Sequence, residues 1–366
     1  MRIDRLELFD FRNYAEFRAS FVPGVNLIVG DNAQGKTNLL EAISYLGAGK
    51  SFRTRKEAEM IRFGAVFCEM NCDVFSFDRT RTIKTILFSG RRQRQLFLSD
   101  VKKKSFAELS GVLSTVLFCP EDLLILKTGA SSRRKLIDTA LCQLRPNYDK
   151  ALSEYGRLYD GKSRILKDRF ENPSLENVLP EYNERMAQVG AILISYRARY
   201  LQKLSEYAAR FHSEFSGGRE QLLLTYQTVS TVSDPLAPVE TIYDQLREHQ
   251  KSHYRAELES MQCLSGPHKD DFDVTLGSLS VKAFGSQGQT RTAAISLKLA
   301  EREIFKFDIG EEPVLLLDDV LSELDPGRQD FVLNQITSGQ VFITCCEKDR
   351  LTDLGKVYTI HGGHLE

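Results

Sequence analysis

Residues 25–46 read VNLIVGDNAQGKTNLLEAISYL. VNLIV has the length and apolar content of a buried strand, and NLLEAISYL reads as a buried helix. Between them Gly30, Asp31, Asn32, Ala33, Gln34, Gly35, Lys36 and Thr37 match G-x-x-x-x-G-K-[ST] in the strand–loop–helix setting that a P-loop needs. Glycines let backbone amides curl toward phosphate oxygens, and the helix N-terminus adds the positive end of its dipole. Lys36 is then placed for β- and γ-phosphates, and the Thr37 hydroxyl for Mg²⁺. An ordinary glycine turn would not bring strand, loop and helix in register. The fold class that follows is α/β.

A P-loop needs a second, acid-bearing strand. Residues 313–319, PVLLLDD, are a short apolar run ending in Asp318 and Asp319. Such a strand delivers two carboxylates at its C-terminal end, where open α/β sheets bind ligands. Asp318 is expected to hold Mg²⁺ through water, and Asp319 to polarise an attacking water. Lys36, Asp318 and Asp319 are the expected catalytic set, with Thr37 and Asp318 at the metal. Beyond them Ser322-Glu323-Leu324-Asp325-Pro326 form a polar turn before another helix.

About thirty residues earlier lies GSQGQTR, 285–291, opening the helix-like run TAAISLKLAEREIF. The order P-loop, long middle, S-x-G-Q and acidic strand resembles the ABC-type ATPases. That resemblance implies that Ser286, Gly288 and Gln289 cap the γ-phosphate held by the P-loop of a second subunit. A hydroxyl, a glycine that lets amides approach and a helix dipole suit that task. Ser286 with Gln289 three residues on also forms a capping-box pattern, and a cap and an anion site use the same free amides.

From 131 to 265 the pattern turns helical. Tyr182, Met186, Val189, Leu193, Tyr196, Tyr200, Leu204, Tyr207 and Phe211 recur at three- and four-residue steps, spanning about 45 Å as one helix. Leu141, Leu144, Tyr148, Leu152, Tyr155 and Tyr159 predict an earlier helix, with Pro173 and Pro180 in the connection. The aromatic stripe is read as core. The expected division is an ATPase lobe over 1–130, a helical arm or lid lobe over 131–265, and a C-terminal ATPase part over 266–366.

Further stretches complete a resemblance over essentially the whole chain: Phe11-Arg12-Asn13-Tyr14, Gly47-Ala48-Gly49-Lys50-Ser51-Phe52-Arg53, Pro120-Glu121-Asp122-Leu123 and Gly266-Pro267-His268-Lys269-Asp270-Asp271. With SQGQ and LLLDD these resemble the RecF family of bacterial recombination mediators. The resemblance implies an ABC-type P-loop ATPase head with an inserted helical arm, which binds DNA and forms a homodimer on ATP. It implies action with RecO and RecR at single-strand gaps to help load RecA. It also adds Arg12 and Asp325 to the nucleotide-binding set. Departures from the wider ABC pattern point to slow hydrolysis, a switch rather than a motor. Asp319 stands where those enzymes usually have glutamate. Thr344 stands where a histidine is usual; it can hydrogen-bond a γ-phosphate, and His268 is a speculative substitute. A transporter cassette, a nuclease-linked ATPase of the anti-phage type, and a clamp that binds ATP without turnover are the rival readings.

DNA contacts must come from local charge, because the 366 residues carry a formal net charge of only -1. Residues 79–104 hold nine Lys or Arg against Asp100 alone and read as a basic β-hairpin turning at Ser89-Gly90. Arg79, Arg81, Arg91, Arg92 and Arg94 there, and Lys50, Arg53, Arg55 and Lys56 in a second cluster, are the candidate phosphate contacts. A solvated hairpin face is the plainer use of such charge. No apolar run approaches eighteen residues and the start alternates like a strand, so a cytoplasmic protein without a membrane span is expected. Seven scattered cysteines suggest reduced, mostly buried thiols, Cys68 and Cys72 as packing residues. His249 and His253, four apart, are read as a solvated helix face rather than a metal site.

Overall fold

The structure, a computed structural model, describes residues 1–90, 92–346 and 352–365. In chain order the first part holds β1 (Arg2–Phe11), β2 (Tyr14–Ser20), β3 (Val25–Val29), α1 (Lys36–Ala48), β4 (Phe67–Ser76), β5 (Arg79–Phe88), β6 (Gln95–Leu98), β7 (Val101–Lys103) and β8 (Thr115–Phe118). The middle holds α2 (Ala130–Leu144), α3 (Pro146–Asp168), α4 (Leu179–Ser216), β9 (Leu222–Gln227), α5 (Val239–Ser260), β10 (Asp271–Leu276), β11 (Leu279–Ser280) and α6 (Val281–Phe284). Then follow α7 (Gln287–Ile309), β12 (Val314–Asp318), α8 (Pro326–Gln335), β13 (Val341–Cys345), β14 (Lys356–His361) and β15 (His364–Leu365). The chain divides into two compact units, 1–124 with 291–366, and 125–290.

The first unit contains two sheets. One is antiparallel, in the order β2-β1-β4-β5-β6-β7. The other runs β15-β14-β3-β13-β12-β8 and is parallel from β14 to β8. Leu39, Leu40, Ile43 and Leu46 of α1 join one core with Ile3, Leu6 and Leu8 of β1, Met70 and Val74 of β4, and Leu316 and Phe342 of the parallel sheet. A helix with apolar neighbours on both sides must be apolar nearly all round, which explains LLEAISYL. Buried Gln340 ties the sheets together: its amide takes the Ile3 N–H at 2.7 Å and donates to the Ile3 carbonyl at 2.8 Å. In the parallel sheet β13 lies between β3 and β12, so the P-loop and the acidic strand leave the same sheet edge two strands apart.

The second unit departs from the expected helical arm in four ways. The helix predicted through 141–159 breaks after Leu144, because Pro146 has no N–H and instead starts α3. Pro180 lies in the first turn of α4, a 38-residue helix, rather than in the connection. Residues 222–227 form a strand, β9, which pairs with β10 from Asp271↔Gln227 to Leu276↔Leu222. That pairing draws 266–290 into the second unit, so the expected boundary at 265/266 is corrected to 290/291. The Gly266–Asp271 motif is a brace within this unit. Buried Arg197 donates to the Pro267 carbonyl at 2.7 Å, to Asp270 at 2.9 Å and to both oxygens of Asp138, while Arg133 grips Asp271 at 2.6 and 2.8 Å. His249 is buried rather than solvated, bonded to Ser265 at 2.7 Å.

Candidate functional site

The phosphate loop leaves β3 and closes at Gly35, the residue before α1, at φ 119. A Cβ there would lie 2.7 Å from the Asn13 amide and 2.9 Å from the Tyr14 hydroxyl, so the position takes only glycine. Tyr14 donates to the Gly35 carbonyl at 2.9 Å and Asn13 to the Gln34 carbonyl at 2.9 Å, while Asn38 donates back to Asn13 at 2.7 Å. The N-terminal strands therefore brace the loop from outside. Lys36 folds over it, its ammonium 2.6 Å from the Gly30 carbonyl, 3.1 Å from the Asp31 carbonyl and 3.2 Å from Cys346 Sγ. That thiol is exposed and also contacts Asn32 at 3.1 Å. Cys68 and Cys72 are buried as expected.

Beside the loop stands a hydrogen-bonded set from three segments. Thr37 and Thr344 each donate to Asp318 Oδ1 at 3.0 Å, and the Asp319 N–H donates to Thr344 Oγ1 at 2.8 Å. Strand register makes this possible, since Asp318 lies directly across from Thr344. Asp319 adopts a left-handed backbone, φ 51. Burial raises the Asp318 pKa above the usual carboxylate value, against the lowering effect of the two threonine hydroxyls. A hydroxyl and a carboxylate are hard oxygen donors of the kind Mg²⁺ accepts alongside phosphate and water, so Thr37 and Asp318 fit such an ion.

Glu41 is a residue that the sequence reading missed. It is fully buried in α1 and takes both arms of Arg12 at 2.7 and 2.9 Å, the Ser51 hydroxyl at 2.5 Å, and Arg53 at 3.5 Å. Arg12 also donates to the Glu59 carbonyl at 2.5 Å, and Arg53 to Asn38 at 2.5 Å. Arg53, expected on a DNA-facing cluster, is thus drawn to the start of α1, where its charge also lowers the Asp318 pKa. A single acid inside LLEAISYL was the available signal for Glu41, since a buried carboxylate needs partners.

The second unit carries Ser286, Gly288 and Gln289. The capping box forms as the sequence predicts: Gln289 N–H donates to Ser286 Oγ at 3.2 Å, and Ser286 N–H to Gln289 Oε1 at 3.0 Å. Gln289 also holds Glu220 at 2.7 Å. In the first unit Asp325 caps α8 by accepting the Arg328 N–H at 3.1 Å, and it pairs with the Arg328 guanidinium. His268 has no nitrogen left for a phosphate. Nε2 must donate to the Cys263 carbonyl at 2.9 Å, so Nδ1 accepts from Tyr155 at 2.8 Å. Burial lowers its pKa to about 4, which keeps the ring neutral.

The basic hairpin exists and β7 extends it, but its charges are spread along its length. Arg79 and Arg81 begin β5, while Arg92 and Arg94 lie beyond its other end, about 30 Å away along the strand. Arg94 is committed to Glu57, with the Tyr45 hydroxyl at 3.3 Å. Arg91 lies outside the described residues. Lys50, Arg55 and Lys56 are exposed.

Comparison with known proteins shows the family and the fold. The RecF/RecN/SMC N-terminal domain family matches residues 2–364. The DNA replication and repair protein RecF of Acetivibrio thermocellus is 36% identical over 349 residues, 95% of this chain and 94% of that protein. RecF of Symbiobacterium thermophilum is 39% identical over 354 residues, 96% and 93% of the two chains. The solved structure of the recombination mediator protein RecF-ATP in the RecFOR pathway is similar with a TM-score of 0.91 at 33% identity, covering 100% of this chain and 96% of that one. An Smc head bound to the C-winged helix domain of ScpA is similar with a TM-score of 0.57 at 16% identity, covering 100% and 96%, a likeness of fold alone.

Proposed function

This chain belongs to the RecF family of DNA replication and repair proteins, with the ABC/SMC-type ATPase head fold, and from that premise we propose that it is an ATP-dependent DNA-binding recombination mediator. It dimerises on ATP, hydrolyses it slowly, and acts with RecO and RecR to promote RecA loading at gap junctions in cytoplasmic DNA. No helix among the described residues is long and apolar enough to cross a membrane, and nothing in the site calls for a transporter's membrane partner.

The observation that carries the reading is the Thr37–Asp318–Thr344–Asp319 set beside the braced phosphate loop. In it the loop amides and Lys36 bind the triphosphate, and Thr37 and Asp318 hold Mg²⁺, which when bound neutralises phosphate charge. Asp319 orients the attacking water. Its reach is one methylene shorter than a glutamate's, and Thr344 has no ring nitrogen and already donates its hydroxyl to Asp318, so turnover is slow. Ser286, Gly288 and the start of α7 cap the partner protomer's γ-phosphate. Closure of the dimer is then the event that ATP controls.

A mixing experiment tests the shared site. Ser286→Arg blocks closure while sparing its own P-loop, and Lys36→Met does the converse. Each variant alone builds two broken sites. Mixed at equal amounts with random pairing, about a quarter of all sites carry both wild-type residues in an isologous dimer. Partial recovery of ATPase activity is expected. Normal ATP-driven dimerisation of Ser286→Arg by itself would remove the loop from the interface.

A further inference from the structure

Phe63 is the most exposed large apolar side chain among the described residues, at 103% of its reference area, and nearby Val66 is also exposed, at 69%. This exposure is built into a rigid turn. The Ala65 N–H donates to the Arg62 carbonyl at 3.0 Å, and Gly64 has φ 88, the left-handed third position of a type II turn. Both sides of the turn are pinned. Arg62 N–H reaches the Asp10 carbonyl at 2.7 Å, Arg12 N–H the Met60 carbonyl at 2.8 Å, and Ser89 N–H the Val66 carbonyl at 3.0 Å. Phe67 pairs with Phe88 in register, and the Arg92 guanidinium lies 4.1 Å from the centroid of the Phe88 ring.

The segments tied to this turn carry more exposed cations than unpaired acids. Of the nearby acids, Asp10 faces Arg62 at 3.5 Å, Glu57 is bound by Arg94, and Glu59 takes the Thr54 hydroxyl. Against Glu59 stand the exposed Arg55, Lys56 and Arg92. A protruding aromatic ring on a turn whose adjoining segments carry exposed cations matches the combination that binds unpaired nucleotides: a π-face for any base and charge for the phosphates beside it.

We propose that Phe63 is a base-stacking residue that recognises an unpaired base in DNA, with Arg55, Lys56 and Arg92 holding the flanking phosphates; this rests on the DNA-binding reading above. In continuous duplex each base face is covered by its neighbours, so Phe63 adds discrimination toward gapped DNA while the cations bind both forms.

The test uses the full chain with ATP and Mg²⁺. Fluorescence anisotropy compares a continuous duplex with the same duplex carrying a short gap, across a salt series. Phe63→Ala is expected to weaken binding to the gapped duplex roughly 5- to 100-fold. Affinity for the continuous duplex and the salt slope should stay as in wild type, because no phosphate contact is lost. Phe63→Trp should restore gapped binding, and Arg92→Glu should flatten the slope on both DNAs. A 2-aminopurine in the gap should change its fluorescence on binding wild type and not on binding Phe63→Ala.

Equal affinity of wild type and Phe63→Ala for gapped DNA overturns the proposal, as does an equal loss on both DNAs. It is also overturned if gapped binding is intact and the variant instead loses ATP-driven dimerisation or retention on phosphatidylglycerol vesicles, since the ring then serves another partner. A wild-type chain that bound neither DNA would sink the DNA-binding reading itself. The side chain lies outside the core, so Phe63→Ala should keep the wild-type melting midpoint.

Discussion

Thr344→Val removes one hydroxyl and keeps the side chain's size, at a position only 1% exposed. Two hydrogen bonds go with it. The Asp319 N–H loses its 2.8 Å acceptor, and an orphaned buried donor costs about 1–3 kcal/mol. Asp318 loses a 3.0 Å donor but keeps Thr37, so this second loss falls near the low end of the roughly 1.5–3 kcal/mol typical of bonds to charged groups. Together they predict a destabilisation of about 2.5–4.5 kcal/mol. Thr344→Ser keeps the hydroxyl and should lose no more than about 1 kcal/mol, the value of one methyl group. Urea unfolding of the three proteins measures the difference. Function should follow, because the lost bond fixes Asp319 in its left-handed conformation and helps keep Asp318 ionised. Turnover should fall in the valine variant, and the acid limb of its pH profile should move to higher pH. Unfolding free energies of Val and wild type within about 0.5 kcal/mol, the scatter of a neutral substitution, together with an unmoved acid limb, would refute the coupling.

Lys36→Ala should weaken nucleotide binding about 10- to 100-fold, from loss of a charged hydrogen-bond donor, as read by titration calorimetry; unchanged affinity would remove the P-loop assignment. Asp319→Asn should still bind ATP but turn over at least about 100-fold more slowly, so the ATP-bound dimer should persist in size-exclusion chromatography. Asp318→Asn should weaken Mg²⁺-nucleotide binding and yet stabilise the chain at neutral pH. Burial raises the Asp318 pKa, so the folded state holds that proton more tightly than the unfolded one. Its contribution is fully present below the ordinary carboxyl pKa and is lost as pH rises through the raised value. The stability gap between variant and wild type should therefore widen from acid to neutral pH, and a gap that narrowed would contradict the sign.

The phosphate loop, the acidic strand and the Ser286–Gln289 cap were legible in the sequence because each is contiguous. A strand–glycine loop–helix holds phosphate with its own amides, and a capping box closes within four residues, so spacing alone carries the geometry. The α/β class followed from the same local facts. Tertiary structure decided what depends on partners far apart in the chain. Thr344 meets Asp318 because β13 is ordered between β3 and β12, and no local pattern encodes strand order. Arg12, Arg53 and Ser51 converge on Glu41 because a carboxylate in a helix packed among apolar neighbours must be satisfied from outside that helix. Arg53 thereby moved from a presumed DNA cluster to the start of α1, and Arg94 was claimed by Glu57. Residues 266–290 joined the second unit through the pairing of β10 with β9, two short strands whose register lies in hydrogen bonds across more than forty residues. Phe63 looked like any apolar residue in sequence; only the pinned turn beneath it holds the ring in solvent, since side-chain exposure is set by where the backbone is tied.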